Sequence, residues 1–467
     1  MALLPLLALA VGPYFKIRVV DGATGRGIPL VQLRTVNQMR FVTDSAGLVA
    51  FNEPGLMGSE VYFHIQSPGY EAKADGFGYR GIALRPQAGR ETTIRLTRTN
   101  IAERICRLTG AGIYRDSGLL GEKTPSTNGG VLGQDTAQAE VYKGRMFWFW
   151  GDTDRASFPL GNFHTSGAIA TLPKEGADQG IEFRYFEKNG FVRPMVESPD
   201  SHPIWISGLV VLDSSLYAYY AQMKSLGEIQ SSGYLKWNDD AERFDIVQTF
   251  GKDRDWRYLD GHTIQTEGYI LGNDPPNVRV PSTSLLDPVA YEAFTCLEAD
   301  GSVRRVDGRT NYRWQKELGP ITSTTEARLV REGKLKLEET HFLPVDEEGR
   351  AVEIANGSVH WNAFRKRWIG IFGRKHGKNS ELGEIDYAEA DAPTGPFRRA
   401  VKVCDHPKYT FYNPVQHAFL DKGSAIYFEG TYTAEFSGND DKTPLYNYNQ
   451  LLYKLDLNDP RLNFAKQ

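Results

Sequence analysis

Polar side chains recur at matching positions of five strand–turn–strand segments that follow residue 130. They stand where the first strand of a segment starts or where its second strand ends: Asp135 and Asp152; Gln222; His262, Asn273 and Asp274; Asn356, His360 and Arg374; Gln416, His417 and Glu429. A hairpin brings the start of its first strand beside the end of its second. If the five hairpins surround an axis, these side chains are expected to meet at one mouth of a central channel.

Three carboxyl groups in this set predict the hydrolysis of a glycosidic bond. That reaction uses one carboxyl group to protonate the leaving oxygen and another to attack the anomeric carbon or to activate water. We predict that Asp152 is the base or nucleophile, that Glu429 is the acid, and that the charge of Asp135 shifts their pKa values. Structural roles also account for each residue: a turn cap for Asp152, an ion pair for Glu429 and a strand start for Asp135.

Seven further members of the set are predicted to bind the substrate: His262, Asn273, Asp274, Asn356, Arg374, Gln416 and His417. The two histidines suit sugar hydroxyls, a central ion or proton transfer, and the guanidinium suits a carboxylate or an anionic sugar. The aromatic rings of Trp361 and Tyr412 are candidates for stacking on a sugar. No metal site and no cofactor are predicted, although a structural calcium ion in the channel stays open.

The elements that must position these residues form a repeat. A polar segment and a tight turn lead into a strongly aromatic or aliphatic strand in five places: MFWFWGDT, LYAYYAQ, YILGND, WIGIFGR and AIYFEGT. The turns carry residues such as Lys143-Gly144 and Glu267-Gly268, and further strand-like runs follow most of the hairpins. Four strands in each repeat predict an all-β fold with a five-bladed β-propeller over residues 130–467. A pair of β-sandwiches is the alternative.

Short alternating runs before this repeat predict a separate β-sandwich over residues 13–98. Its segments VVDGATGRGIP, VTDSAGLVAF and SPGYE resemble the carboxypeptidase regulatory-like, transthyretin-like family, whose members are usually accessory modules of secreted proteins. Residues 99–129 are expected to link the two domains. There, Asn100 and Glu103 match a capping box and predict a short helix through Arg107, which Gly110 and Gly112 would end.

The repeat itself resembles the five-bladed glycoside-hydrolase propellers, and more closely the DUF4185 family. The likeness lies in FWFWGDT, in YNPVQHAFLD with IYFEGTYT, and in the terminal YNYNQLLYKLDLNDPRL. Because DUF4185-like sequences include arabinan-cleaving enzymes, the resemblance implies carbohydrate chemistry on a poly- or oligosaccharide. Two other functions stay open: a non-catalytic glycan-binding or cell-surface protein, and a polysaccharide lyase that uses a histidine or tyrosine base against a uronate.

Composition narrows the partners and the location. The 54 basic and 58 acidic residues give a net charge of −4, which argues against nucleic acid as a partner. The apolar stretch Leu3–Leu9 is too short to span a membrane, and Ala8-Leu9-Ala10 resembles a signal-peptide cleavage site. We therefore expect residues 1–12 to be a leader remnant, with a buried first strand as the alternative, and the protein to be secreted or periplasmic. Cys106, Cys296 and Cys404 are expected to be buried thiols rather than a disulfide framework.

Overall fold

The structure is a computed structural model that describes residues 12–123, 128–198, 200–225, 227–251 and 255–466. The apolar stretch near residue 1 lies outside these ranges. None of the described helices is long and apolar enough to cross a membrane. The chain divides into two compact units, one built from residues up to 100 together with 112–126, the other from 101–111 and the chain after 126.

The first unit is the predicted β-sandwich. One sheet has the strand order Leu48–Phe51, Phe15–Asp21, Glu91–Arg98 and Tyr70–Glu71, and the other has the order Arg40–Val42, Gln32–Thr35, Val61–Gln66 and Gly81–Leu84. Side chains alternate between core and solvent, so Ile17, Val19, Leu33 and Phe63 are fully buried. A short helix, Arg115–Leu119, belongs to the same unit. The resemblance of this first unit to the carboxypeptidase regulatory-like family stays a prediction.

The second unit is a five-bladed β-propeller, and the prediction of an all-β fold is confirmed. Each blade is an antiparallel sheet whose first strand we call the inner strand, because it lines the central channel. Blade 1 consists of Gln138–Tyr142, Arg145–Trp150, Ser166–Thr171 and Arg184–Tyr185. Blade 2 consists of Ile204–Leu212, Ser215–Ser225, Glu228–Asn238 and Arg243–Phe250. Blade 3 has five strands, Ile264–Thr266, Tyr269–Gly272, Val278–Pro281, Glu292–Thr295 and Arg313–Gln315. Blades 4 and 5 are Ile354–Asn362, Arg367–Arg374, Glu384–Ala390 and Ala400–Asp405; Thr410–Gln416, Ala425–Thr433, Asn449–Asp456 and Glu103–Arg107.

Smaller elements connect the blades. A three-stranded sheet of Val131–Gln134, Thr153–Arg155 and Phe158–Asn162 lies beside blade 1, and two-stranded ribbons pair Glu187–Lys188 with Phe191–Val192 and Arg305–Val306 with Arg309–Thr310. The remaining helix is Ser323–Arg331, and the 3₁₀ turns are Ser282–Ser284, Pro288–Ala290, Leu337–Glu339, Ala418–Leu420 and Pro460–Lys466. Thr322 caps the helix by accepting a hydrogen bond from the Thr325 backbone N–H.

The hairpin turns follow from local sequence. Lys143 and Gly144 both have positive φ, and they join strands whose terminal residues Tyr142 and Arg145 pair directly. The Glu267-Gly268 turn of blade 3 has the same form. Two successive residues with positive φ form the turn whose twist matches that of paired strands. These turns fix which residues of the two strands pair, so the polar start of the first strand and the polar end of the second lie side by side.

The segment at residues 103–107 corrects one prediction, because it forms a strand rather than a helix. We call Glu103–Arg107 the clasp strand, because it precedes blade 1 in sequence but pairs with Asn449–Asp456 as the fourth strand of blade 5. Residues 101–111 therefore belong to the propeller unit. A short apolar run such as Ile105-Cys106 does not distinguish helix from strand by its periodicity, and long-range pairing decides the outcome.

The clasp strand packs in the core between blades 5 and 1. Ile105 is fully buried in a cluster that includes Trp148, Trp150 and Leu452. The Arg104 guanidinium donates a hydrogen bond of 3.3 Å to the Tyr453 hydroxyl, which also bonds a ring nitrogen of His406 at 2.7 Å. The ring is thus closed by residues from both ends of the propeller sequence. All three cysteines are free and buried, as predicted.

Candidate active site at one mouth of the propeller

A cavity of about 420 Å³ opens where the inner strands begin, and we call it the mouth cavity. Its walls come from blades 1 to 5: Thr136, Gln138, Ser207, Tyr258, Asp260, Gly261, His262, Asn273, Asp274, Ala355, Asn356, Gly357 and Asn413. Four of the predicted binding residues are among them, namely His262, Asn273, Asp274 and Asn356. The hairpin geometry therefore does bring polar residues from several blades to one mouth.

Asp135 and Asp152 do not line this cavity, but Asp135 directly precedes Thr136, which does, and the two aspartates are joined by hydrogen bonds from backbone N–H groups. The Asp152 N–H donates to Asp135 Oδ1 at 2.8 Å, and the Gly151 N–H donates to the Asp135 carbonyl at 2.9 Å. A Cβ on Gly151 would lie only 2.4 Å from Asp135 Oδ1. Glycine at this position of the FWFWGDT motif is therefore what lets the two aspartates approach.

Asp135 is surrounded by hydrogen-bond donors. The Tyr412 hydroxyl donates to its Oδ2 at 2.9 Å, and the Tyr448 hydroxyl and the Asp152 N–H are further donors. Burial raises the pKa of the Asp135 carboxyl, while these hydrogen bonds oppose the shift because they stabilise the charged form. Tyr412 therefore binds a carboxylate here, whereas its sequence position had suggested a sugar-stacking ring.

Asp152 accepts fewer hydrogen bonds than Asp135, and its pKa is also raised. Burial raises the pKa of its carboxyl to about 7, and the charge of Asp135 contributes to the rise. One side-chain hydrogen bond opposes the shift, from Trp205 Nε1 to Asp152 Oδ1 at 2.9 Å. Trp205 lies on the inner strand of blade 2, so the environment of Asp152 is set partly by a neighbouring blade.

A second pair of aspartates stands on the blade 3 wall. Asp260 accepts hydrogen bonds from the Ser207 hydroxyl at 2.5 Å and from the Gly261 N–H at 2.8 Å. Asp274 accepts one from the His262 N–H at 3.2 Å, and burial raises the pKa of its carboxyl to about 8. Gly261 has a φ of +64°, and a Cβ there would lie 2.4 Å from Asp274. This wall supplies both accepting and donating groups to the mouth cavity.

Several residues of the mouth were missed from the sequence: Ser207, Asp260, Asn413, Trp205 and Tyr448. For Asp260 a signal was present, because it directly precedes the Gly261-His262 pair at the start of an inner strand. Asn413 likewise lies in the inner strand of blade 5 and donates to the Thr136 hydroxyl at 2.8 Å. For Trp205 and Tyr448 no local pattern existed, because each reaches its aspartate from another part of the propeller.

Glu429 does not lie at the mouth. It occupies the middle of Ala425–Thr433 and is fully buried. Its Oε1 accepts a hydrogen bond of 2.8 Å from Trp148 Nε1 and lies 2.6 Å from His417 Nε2. Thr431, two residues further along the strand, is the residue that contacts Thr136 at the mouth. The predicted pairing of Asp152 with Glu429 is therefore not the arrangement that the structure contains.

Arg374 and the two predicted glutamines also have other partners. Arg374 forms a bidentate pair with Asp386, with distances of 2.8 and 2.7 Å, and a third bond to Asp346 at 3.1 Å. The Gln416 amide donates to Asp421 Oδ2 at 2.8 Å. The Gln222 amide donates to Asp200 Oδ1 at 2.7 Å. None of the three side chains lines the mouth cavity.

Three imidazoles occupy the channel below the mouth. His262, His360 and His417 line a second cavity of about 290 Å³, which we call the far cavity, and only His262 of the three also lines the mouth. Burial lowers the pKa of His262 to about 3 and that of His360 to about 4, and the neighbouring imidazoles contribute to both shifts. His262 and His360 thus stay neutral near pH 7.

The channel does not fit the calcium ion that the sequence left open. Calcium takes six to eight oxygen ligands, whereas three of the side chains that line the far cavity are imidazoles and, among the described residues there, Glu140 is the one carboxylate. Across the described ranges, no group of three or more histidine, cysteine, aspartate or glutamate side chains is arranged to hold a metal ion.

The placement of Glu429 gives a prediction about its role. Glu429→Gln is expected to leave kcat near the wild-type value but to lower the free energy of unfolding by about 1–3 kcal/mol, because a buried hydrogen-bond network is disturbed. Urea denaturation and turnover measured on the same preparation check this. Glu187→Gln, on an exposed strand, is the matched control. Loss of turnover at unchanged stability would return Glu429 to a catalytic role.

Comparisons with known proteins found no matching family model and no matching curated protein. Among solved structures, the chain is similar to a GH43_1 enzyme from Xanthomonas citri complexed with xylotriose, at 12% identity, with 69% of this chain and 86% of that chain covered and a TM-score of 0.34. It is also similar to an exo-1,5-α-L-arabinanase from a bovine ruminal metagenomic library, at 8% identity over 70% and 94% of the two chains, with a TM-score of 0.36. A Bombyx mori GH32 β-fructofuranosidase matches at 12% identity over 68% and 59%, with a TM-score of 0.35. At these low scores, the architecture rests on the strand pairing described above.

Proposed function

We propose that this protein is a glycoside hydrolase that cleaves a poly- or oligosaccharide at the mouth of its propeller. The observation that carries the proposal is the neighbouring pair Asp135 and Asp152, whose pKa values are both raised by burial but whose charged forms accept different numbers of hydrogen bonds. Hydrolysis of a glycosidic bond needs one carboxyl group that is protonated and one that is charged. Pairs of titratable groups with such divergent environments mark the acid and base positions of an active site.

The hydrogen bonds of the two carboxyl groups support a division of roles between them. Asp152 is the general acid, because a pKa of about 7 leaves about half of its carboxyl groups protonated at neutral pH. Asp135 is the base or nucleophile, because Tyr412, Tyr448 and a backbone N–H stabilise its charged form. This assignment differs from the one expected from the sequence, in which Asp152 was the base or nucleophile, Glu429 the acid and Asp135 a modulator of their pKa values. Asp135 raises the pKa of Asp152 through its charge, so each carboxyl depends on the other.

The walls of the mouth cavity suit an uncharged part of a sugar chain. Ser207, Asn273 and Asn413 offer hydroxyl and amide groups that can donate to and accept from sugar hydroxyls. Nearby, Phe436 packs edge-on against Tyr412 with ring centroids 5.8 Å apart, and 68% of its surface is exposed. An open aromatic ring beside the carboxyl pair provides a surface for the apolar face of a sugar.

No specific observation favours the lyase alternative. That reaction would place a cation against the uronate carboxylate, and the arginine predicted for this role, Arg374, is bound to Asp386 and Asp346. A purely sugar-binding function leaves the raised pKa of Asp152 without a use. We also infer export, because polymeric glycans are degraded outside the cell, and we infer an accessory role for the N-terminal sandwich.

The test is a survey of substrates. The protein is incubated with neutral and uronate-containing polysaccharides, and both reducing ends and the absorbance of unsaturated products are recorded. We expect new reducing ends from at least one polysaccharide and no unsaturated product. Unsaturated product would replace the proposal with a lyase, and an absence of cleavage in every sample would contradict an enzymatic function.

A further inference from the structure

The far cavity lies further along the inner strands than the mouth cavity, and the two share Gln138 and His262 in their linings. It is lined by residues of all five blades, including Gln138, Glu140, Gln265, Trp361 and Trp368. Its volume of about 290 Å³ is just below the range of small-ligand sites, which is about 300–1,000 Å³. The cavity therefore has room for a ligand of one or two sugar rings.

The two tryptophans give this cavity an aromatic wall. Trp361 and Trp368 stand directly opposite each other on the first two strands of blade 4, and their rings meet edge-on with centroids 5.8 Å apart. Half of the surface of Trp361 is exposed. A large aromatic ring that is held by a neighbour and left open at a cavity is a stacking platform rather than a core residue.

Polar groups face the same space. The Gln265 side-chain amide donates to the Val211 carbonyl at 3.1 Å, and its oxygen can accept a hydrogen bond from a ligand. Glu140 and Gln138 lie on the inner strand of blade 1, and Glu140 Oε1 accepts a hydrogen bond from the Val141 N–H at 2.8 Å. Among the described residues that line the cavity there is no lysine or arginine. The ligand that fits is uncharged, has hydroxyl groups and has one apolar face.

We propose that the far cavity is a second saccharide-binding site, in which Trp361 stacks on a sugar ring while Gln138, Glu140 and Gln265 bind its hydroxyls. This site goes beyond the proposed hydrolysis, because it holds a neutral glycan away from the carboxyl pair. Gln138 and His262 line both cavities, whereas Glu140, Gln265 and Trp361 line the far cavity alone, so most of this site is separate from the mouth. A polymer that is cut at the mouth is thereby kept near the enzyme through a second contact.

Binding is tested in the full chain with Asp152→Asn, so that cleavage does not remove the ligand. Native gels that contain arabinan, arabinoxylan, galactan, mannan or β-glucan report affinity through the retardation of the protein. We expect at least one of these to retard the parent, and we expect Trp361→Ala to weaken that binding about tenfold. Phe364→Ala is the matched control, because Phe364 is exposed to a similar degree but does not line the cavity.

The outcomes separate this inference from the proposed hydrolysis. The second site is overturned if no polysaccharide retards the parent protein, or if Trp361→Ala binds each retarding polysaccharide as tightly as the parent does. The proposed hydrolysis is judged separately, by the release of reducing ends. Gln265→Ala, which keeps the aromatic wall, provides a second variant should Trp361→Ala be unstable, and weaker binding is expected from it. Thermal unfolding of each variant verifies that the fold is intact.

Discussion

Replacing Asp152 by asparagine is expected to lower kcat by a factor of about 10²–10⁴, the usual contribution of a positioned general acid. The amide has the same shape as the carboxyl and can still accept the hydrogen bond from Trp205 Nε1. It cannot supply the proton that the leaving oxygen requires. Turnover of the best substrate from the polysaccharide survey, measured with wild type and variant at equal concentration, checks this. Asp213→Asn, in an exposed hairpin turn, is the matched control and should keep full activity.

The same assignment predicts the dependence on pH. Asp152 must be protonated to act, so kcat should fall as the pH rises through about 7. In Trp205→Phe the indole N–H that stabilises the charged carboxylate is lost, so the pKa of Asp152 should rise and the fall in kcat should move to higher pH. A merely structural role of Trp205 would lower activity at all pH values alike. If Asp152→Asn keeps its turnover while Asp135→Asn loses it, the acid must be sought elsewhere at the mouth.

Replacing Ile105 by alanine is expected to lower the free energy of unfolding of the propeller by about 2–5 kcal/mol. Ile105 is fully buried in the clasp strand, against a cluster that includes Trp148 and Leu452. The substitution removes buried apolar surface and leaves a cavity at the junction between blade 5 and blade 1. Urea denaturation followed by tryptophan fluorescence measures the change, because Trp148 and Trp150 lie in the same cluster.

Ile246→Ala is the matched control for this experiment. Ile246 also lies on the outermost strand of a blade, Arg243–Phe250 of blade 2, but it is exposed. We expect its substitution to change the stability by no more than about 0.5 kcal/mol. Equal losses in the two variants would show that the closure between blades 5 and 1 has no special weight in the stability of the ring.

The architecture was largely accessible from the sequence because hairpins are encoded locally. Pairs such as Lys143-Gly144 specify a turn with two positive φ values, and the aromatic strands that follow must be buried. The clasp strand was not accessible, because its partner lies at the far end of the chain. A segment of five residues has too little periodicity to identify itself without that partner.

The site was predicted only in part, because the sequence does not show how far along a strand each side chain lies or which blades contact one another. Asp135 and Asp152 lie at the open end of the blade 1 hairpin, opposite its turn, so their approach follows from local geometry. Glu429 was placed at a strand end, but the strand continues to Thr433, which leaves its carboxyl in the middle of the blade. The hydrogen-bond donors that make the surroundings of the two aspartates differ, Tyr412 and Trp205, come from other blades. Contacts between blades depend on packing and leave no pattern in the sequence.

The clasp strand has a consequence for biosynthesis. Arg104 and its partner Tyr453 are 349 residues apart in the sequence. At about 5–20 residues per second on a ribosome, roughly 20–70 s pass between the appearance of the two strands. During that time the nascent chain carries an unpaired strand edge, which is prone to association with other chains. A translation product truncated before Asn449–Asp456 would keep that edge permanently, so premature termination should yield aggregates rather than a smaller propeller.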